Sequence, residues 1–330
     1  MRSERTAEDK PPPYGLGMTL GAKEEERVRE NRPSGTAYLI AGSLSAARRD
    51  PVLSGLLPPR GADLGEWVIA DTLRNGRLLV WALRQGWGRG LVRVIERRVL
   101  PGIQAHYIVR KRFIEDIVRA ALLVGDRQVV NIGAGFDSLC WRLHPEHPHV
   151  NFLEIDHPGT QRAKQDVLER HGAIRPNLYL DSADLTASRL EVVLGACPQF
   201  DALAPTVFVL EALLMYLTEP EVTALFHAIH RLNLPKTIVI FTFMEPQSDG
   251  RVNFPQASPF VTWWLQHHAE PFKWGIPRAD LPQFLADLGF SQTDLANERV
   301  LRERYLPSDM KNPPLAVGEL VCVAALKNSN

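Results

Sequence analysis

Apolar residues along this chain follow two rhythms, and the change between them falls near residue 125. Before it they recur at spacings of three and four, as on one buried face of a helix. The pattern predicts helices over TAYLIAGSLSAAR (36–48), GEWVIADTLRNGRLLVWALRQ (65–85) and AHYIVRKRFIEDIVRAALL (105–123). Between the first two, RRDPVLSGLLPPRGADL has the Pro and Gly punctuation of a connector. Beyond Gly125, short apolar runs alternate with amphipathic stretches. Strands are expected at QVVNI (128–132), NFLEI (151–155), LYL (178–180), TVFVL (206–210) and TIVIFTF (237–243). Helices are expected between them at 138–143, 159–171, 187–195 and 219–232. Near the end, RVLRERYL and ELVCVAAL read as two further strands joined by a Pro-rich loop, which suggests an antiparallel edge.

Short strands alternating with helices predict an α/β fold, a mostly parallel Rossmann-like sheet covered on both faces. The organisation expected is a polar N-terminal arm over 1–34, mobile by composition, followed by one domain over 35–330. Within that domain a helical extension over 35–104 acts as a cap, and a helical insertion over 245–298 interrupts the sheet. Eight residues of the insertion are Phe or Trp.

Candidate chemistry begins at Gly133 and Gly135, at the carboxyl end of the first strand, where open α/β sheets bind ligands. Glycine permits a positive φ there and lets a ligand approach where a Cβ would collide. A G-x-G pair is also what a plain strand-to-helix turn would use. Asp156 ends the second strand 21 residues after Gly135. Its carboxylate suits the two hydroxyls of a ribose, and it equally suits a helix cap before Pro158. Glu154, on the same strand face, is the neighbouring candidate. Asp184 and Leu185 follow the third strand and offer an acceptor and an apolar surface to an adenine ring, or a cap for the next helix. Glu211 stands inside the apolar run VFVLEALLMYL, a costly place for an unpartnered acid.

Ser138 replaces the third glycine of a dinucleotide fingerprint, which argues against a nicotinamide cofactor. S-adenosylmethionine has no phosphate and tolerates such a loop. Its carboxylate needs a cation, for which Arg110 and Arg112 of YIVRKRF are placed on the preceding helix.

With these motifs the chain resembles the leucine carboxyl methyltransferase family of class I S-adenosylmethionine-dependent methyltransferases, nearest its bacterial small-molecule O-methyltransferases. The resemblance rests on TAYLIA…RRDP (36–51), RKRFIEDIV (110–118), VVNIGAGFDSLCWRL (129–143), FLEIDHPGTQRAK (152–164), ADL (183–185) and LEALLMYLTEPEV (210–222). It implies that Arg110 grips the cofactor carboxylate, that Gly133 and Gly135 line its methionine part and that Asp156 holds the ribose. It likewise implies Asp184 and Leu185 for the adenine and Glu211 for the amine. The stretches 52–104 and 245–298 match nothing in the family pattern, and those are the parts expected to face the acceptor.

Composition narrows the rest. Lysine plus arginine equal aspartate plus glutamate at 38 each, so no global field draws in nucleic acid or an anionic membrane. Three scattered cysteines fit a reducing, cytoplasmic setting, and the N-terminus has no apolar core of a secretory signal. Cys140, His144, His147 and His149 match no standard zinc spacing, so no metal is expected. The expected partner is a small-molecule acceptor methylated on a carboxylate or hydroxyl, polyketide- or peptide-like in character. The aromatic insertion would lid it, with Trp263, Trp264, His267 and His268 as acceptor contacts and no base assigned. The alternatives are a protein C-terminal carboxylate, a tRNA (for which GRGLVRVIERRVL, 88–100, is the basic stretch), and a non-catalytic cofactor-binding regulator.

Overall fold

The computed structural model describes residues 33–185, 187–268, 270–306 and 313–327. The expected N-terminal arm therefore lies outside the described residues except for Pro33 and Ser34. Ser34 caps the first helix, its side chain accepting from the Ala37 amide, an arrangement favourable for a hydroxyl at that position.

Five helices precede the sheet: α1 (Gly35–Ala47), α2 (Asp63–Thr72), α3 (Gly76–Arg84), α4 (Gly86–Val99) and α5 (Ile103–Leu123). The single helix expected over 65–85 is thus two. Leu73 leaves helical geometry with ψ 140°, and the turn packs so tightly that a Cβ on Gly76 would stand 1.7 Å from the Ile69 carbonyl oxygen. Then come β1 (Gln128–Ile132), α6 (Leu139–Leu143), β2 (Asn151–Asp156), α7 (Pro158–Arg170), β3 (Leu178–Ser182), α8 (Leu190–Ala196) and β4 (Thr206–Leu210). A 3₁₀ turn at Leu214–Tyr216 leads into α9 (Glu219–Arg231), followed by β5 (Thr237–Met244) and α10 (Pro259–His267). The chain finishes with α11 (Leu281–Asp287), β6 (Phe290–Ala296), α12 (Glu298–Tyr305) and β7 (Glu319–Leu326).

Seven strands make one sheet in the order β3-β2-β1-β4-β5-β7-β6. The first five are parallel, and β7 runs antiparallel to both β5 and β6. An antiparallel edge is therefore present, but its outer strand is 290–296 and RVLRERYL is a helix. Asn297 caps α12 by accepting from Val300, Glu298 lies in its first turn, and Arg302 and Arg304 lie in its last. Those charges suit the helix dipole at both ends.

Alternate residues of the central strands enter opposite cores. Val129, Val207 and Val209 pack with α1, α2 and α5, whereas Val130, Ile132, Phe208 and Leu210 pack with α8, α9 and α11. A smaller cluster of Leu100, Met215, Met244, Phe254 and Ala316 sits apart from both. The chain leaves β1 outward through β2 and β3 and returns to lay β4 on the other side of β1. The crevice at the carboxyl ends of β1 and β4 is the switch point where ligands of such sheets bind.

Candidate active site

The turn after β1 depends on its glycines. Gly133 has φ +68° and Gly135 φ +51°, a region costly for a side chain. A Cβ on Gly133 would also stand 2.8 Å from a methyl of Leu213. The Gly133 amide donates to the Ile155 carbonyl at 2.8 Å, tying the turn to β2. At the end of β2, Asp156 accepts from the amides of Gly135 and His157. It does not cap α7, whose cap position is His157. Burial raises the Asp156 carboxyl above its ordinary value against the pull of those two amides.

Glu154 does a different job. It is fully buried and ion-paired to Lys164, which also donates to the Asp137 carbonyl at 2.6 Å. Burial, opposed by Lys164, pushes its carboxyl up to about 7. Of the two acids on β2, Asp156 is the one at the rim. Two residues past the end of β3, Asp184 accepts the Ala187 and Ser188 amides on its carbonyl, and Leu185 packs partly buried against the core. Helix α8 begins behind Arg189, so Asp184 is not its cap.

Helix α5 brings cations to this edge. Arg110 is fully buried and donates from Nε to Glu211 at 2.8 Å and from Nη1 to Glu319 at 2.6 Å. Lys111 donates to Asp137 at 2.7 Å and to the other oxygen of Glu211 at 2.9 Å. His106 Nε2 lies 2.9 Å from Glu319. Burial opposes the charges of Arg110, Lys111, Asp137 and Glu319, and their partners outweigh it. Glu319 and Glu211 hold Arg110 more firmly protonated than usual. Lys111 and Lys164 hold Asp137 well below the carboxylate range, and Arg110 and His106 bring Glu319 down to about 2. Behind Glu211, Ala212 takes φ +51°, held by its amide donating to Thr242 at 2.8 Å. That unfavourable backbone turns the chain out of β4 just after the carboxylate. Arg112, the other arginine considered, points elsewhere, reaching the Leu56 carbonyl and the Tyr305 ring.

Two members of the ion cluster, Arg110 and Glu319, line a cavity of about 570 Å³ together with Tyr107. The remaining wall is nearly all apolar, from α1, α3 and α4 on one side and Phe254, Trp264 and Phe272 on the other. Burial raises the Tyr107 hydroxyl above its ordinary range, so it stays protonated. Of the four acceptor contacts expected from sequence, Trp264 lines this cavity and Trp263, His267 and His268 do not. Trp263 is exposed with His267 stacked on it, and His268 stacks on Trp264 with Nδ1 on that residue's carbonyl. Arg110 and Glu211 are brought into direct contact, and Gly135 and Asp156 are bonded. Lys111, Asp137, Glu319, His106 and Tyr107 were not singled out from sequence. Glu319 carried a usable signal, being an acid at the head of an apolar strand, as Glu211 is an acid within an apolar run.

A family model for leucine carboxyl methyltransferase matches residues 46–230. A protein of Parafrankia sp. named "putative S-adenosyl-L-methionine-dependent methyltransferase" is 29% identical over 216 residues, covering 63% of this chain and 66% of its own. A protein of the same name in Mycobacterium marinum is 26% identical over 231 residues, covering 65% and 68%. The chain thus spans about two thirds of the length of these relatives, just under it for the first. Among solved structures, a Thermobifida fusca protein named "putative methyltransferase" aligns with TM-score 0.52 at 15% identity, over 74% of this chain and 89% of that one. At that identity the likeness speaks for the fold.

Proposed function

The chain belongs to the leucine carboxyl methyltransferase family, and on that premise we propose that it methylates an oxygen of an apolar small molecule seated in the 570 Å³ cavity, with S-adenosyl-L-methionine as donor. The observation that carries this reading is that Arg110 and Glu319, two members of the ion cluster that also holds Glu211, Lys111 and Asp137, line the otherwise apolar cavity.

The residues suit the donor. Glu211, Glu319 and Asp137 stand against two fixed cations, Arg110 and Lys111, so the cluster favours a ligand that is cationic overall. An amino-acid zwitterion matches Arg110 and Glu211 charge for charge. Gly133 and Gly135 line the methionine part with their backbone, Asp156 takes the ribose hydroxyls, and Asp184 with Leu185 takes the adenine. The sulfonium donor supplies a methyl group whose leaving group is already activated. The protein's task is then to align the acceptor oxygen and exclude water, and positioning of that kind is worth about 7–11 kcal/mol. A carboxylate acceptor is ionised at neutral pH and needs no base. For a hydroxyl acceptor, the ionisable side chains on the cavity wall besides Arg110 are Glu96, Glu319, Tyr38, Tyr107 and Tyr216. Arg110 holds Glu319 ionised and burial holds Tyr107 and Tyr216 protonated, which leaves Glu96, whose carboxyl burial raises, as the group suited to taking a proton. A carboxylate, which needs no such group, is the simpler acceptor, and a hydroxyl would call on Glu96.

Calorimetry with S-adenosyl-L-methionine and S-adenosylhomocysteine tests the donor site, and labelled methyl transfer into apolar acids, phenols and alcohols tests the acceptor. Products that release the label in base are esters, as expected, and base-stable products would mean ethers. Absence of affinity for both nucleosides would sink the reading.

A further inference from the structure

Helices α3 and α4 turn apolar side chains outward. On α4, Trp87, Leu91, Val94 and Ile95 recur at i, i+4, i+7 and i+8, the spacing of a buried stripe, yet all four are exposed, Trp87 to 61% and Leu91 to 55%. Helix α3 adds Leu78 and Trp81, and the Trp81 and Trp87 rings meet edge-on with centroids 6.3 Å apart. Singly scattered surface hydrophobics are ordinary, but a contiguous patch marks an interaction site. Eight of the fifteen large apolar side chains exposed among the described residues lie between 73 and 95; Leu73, Leu79 and Ile95 of these also line the cavity, and Leu78, Trp81, Trp87, Leu91 and Val94 do not.

Charge on this stretch is one-sided. Residues 73–100 contain seven arginines and a single acid, Glu96, which is only partly exposed and accepts the Gln104 amide at 3.2 Å. Arg84 and Arg93 are paired with Glu66 and Asp50. Arg74, Arg77, Arg97 and Arg98 are exposed and have no ion pair among the described residues. Arg98 follows Trp87 by eleven residues, three turns along the same helix face. Charge balance over the whole chain averages this asymmetry away.

We propose that the outer face of α3 and α4 docks on an anionic lipid membrane, with Trp81, Trp87 and Leu91 in the headgroup boundary and Arg77, Arg97 and Arg98 against lipid phosphates. A basic helix face with tryptophan and leucine lies in the interfacial plane, and no helix among the described residues is long and apolar enough to cross a membrane. A second copy of the chain would set these arginines against one another with no acid on the face to answer them, whereas anionic headgroups answer each. The inner sides of the same helices supply Leu79, Leu83 and Val92 to the cavity wall, so the membrane plane would lie against the apolar end of the cavity. The proposal goes beyond methyl transfer and does not depend on it.

The test is co-sedimentation of the full chain with phosphatidylcholine vesicles, with and without phosphatidylglycerol. Partition into the phosphatidylglycerol vesicles alone, weakened by salt, is expected. Trp81→Ala with Trp87→Ala should lower it by about tenfold or more, and Arg97→Gln with Arg98→Gln by about tenfold. None of these four side chains lines the cavity, so circular dichroism and S-adenosylhomocysteine affinity should match wild type. Wild-type protein left in the supernatant with both vesicle types would overturn the proposal. So would light scattering that finds a dimer which the tryptophan variant dissociates, since the face would then join two copies.

Discussion

At the carboxyl edge of β1, β2 and β4, Glu211, Asp137 and Glu319 are each ion-paired to Arg110 or Lys111. Across the cavity, α1, α3, α4 and α10 offer aliphatic and aromatic side chains and few polar atoms. The first region can hold only a ligand that answers a fixed set of charges, because an unanswered buried charge is expensive. The second region discriminates by shape and apolar area, which reward many molecules nearly equally. One side of the site is therefore strict about its guest and the other is permissive. That division suits a common donor and a particular acceptor.

The sharpest way to break the comparison is Arg110→Met. It leaves Glu211 with Lys111 alone and Glu319 with His106 alone, and loss of one partner of a buried pair costs about 3–5 kcal/mol. Urea unfolding should show that loss together with loss of nucleoside affinity; a variant as stable as wild type would mean that the cluster is better solvated than its burial implies. Acid comes next. The Glu319 carboxyl titrates near 2 in the fold against 4.5 in its absence, so its contribution is fully present above about 4.5. It should be lost as pH falls from about 4.5 towards 2, on the order of 3 kcal/mol in all. Glu319→Gln should flatten the dependence of unfolding free energy on pH in that window.

Smaller effects separate the two regions. Asp156→Ala removes one charge-assisted acceptor and frees the Gly135 amide, which predicts a loss of about 1.5–3 kcal/mol in nucleoside binding, measured by calorimetry. Trp264→Ala trims the permissive wall. It should raise the acceptor KM by roughly tenfold, about 1–2 kcal/mol of lost apolar contact, and leave nucleoside affinity unchanged. Equal losses of both affinities would show that the two regions are not independent.

The same contrast explains what could be read before the fold was known. Asp156, Glu211 and the glycine turn are legible because each breaks a local pattern: an acid ending an apolar strand, or flexibility where a strand stops. Glu319 and Lys111 were missed because their meaning lies in their partners, Arg110 at 209 residues from Glu319 and Glu211 at 100 residues from Lys111, and periodicity does not carry that distance. Residues 290–296 escaped as an edge strand with only partial burial and a bulge between Gln292 and Asp294, so its alternation is broken. RVLRERYL misled for the opposite reason, since its leucines and tyrosine imitate a strand while Asn297 and the Arg299–Glu303 pair make a helix. On the permissive side the aromatics of 245–298 announced a hydrophobic segment but not which rings face inward, and Trp263 and Trp264 point to different surroundings.

Arg110 ties a helix from the first third of the chain to the exit of β4 and to β7, the last strand of the sheet. Closing a loop of such length costs more chain entropy than closing a short one. The guanidinium thus waits for its second carboxylate until β7 has inserted between β5 and β6. A ribosome still short of that strand would carry a nascent chain with sheet and glycine turn in place but a half-neutralised arginine at their edge. Competence to bind would then arrive in the final step of folding, and would report that the whole sheet has been made.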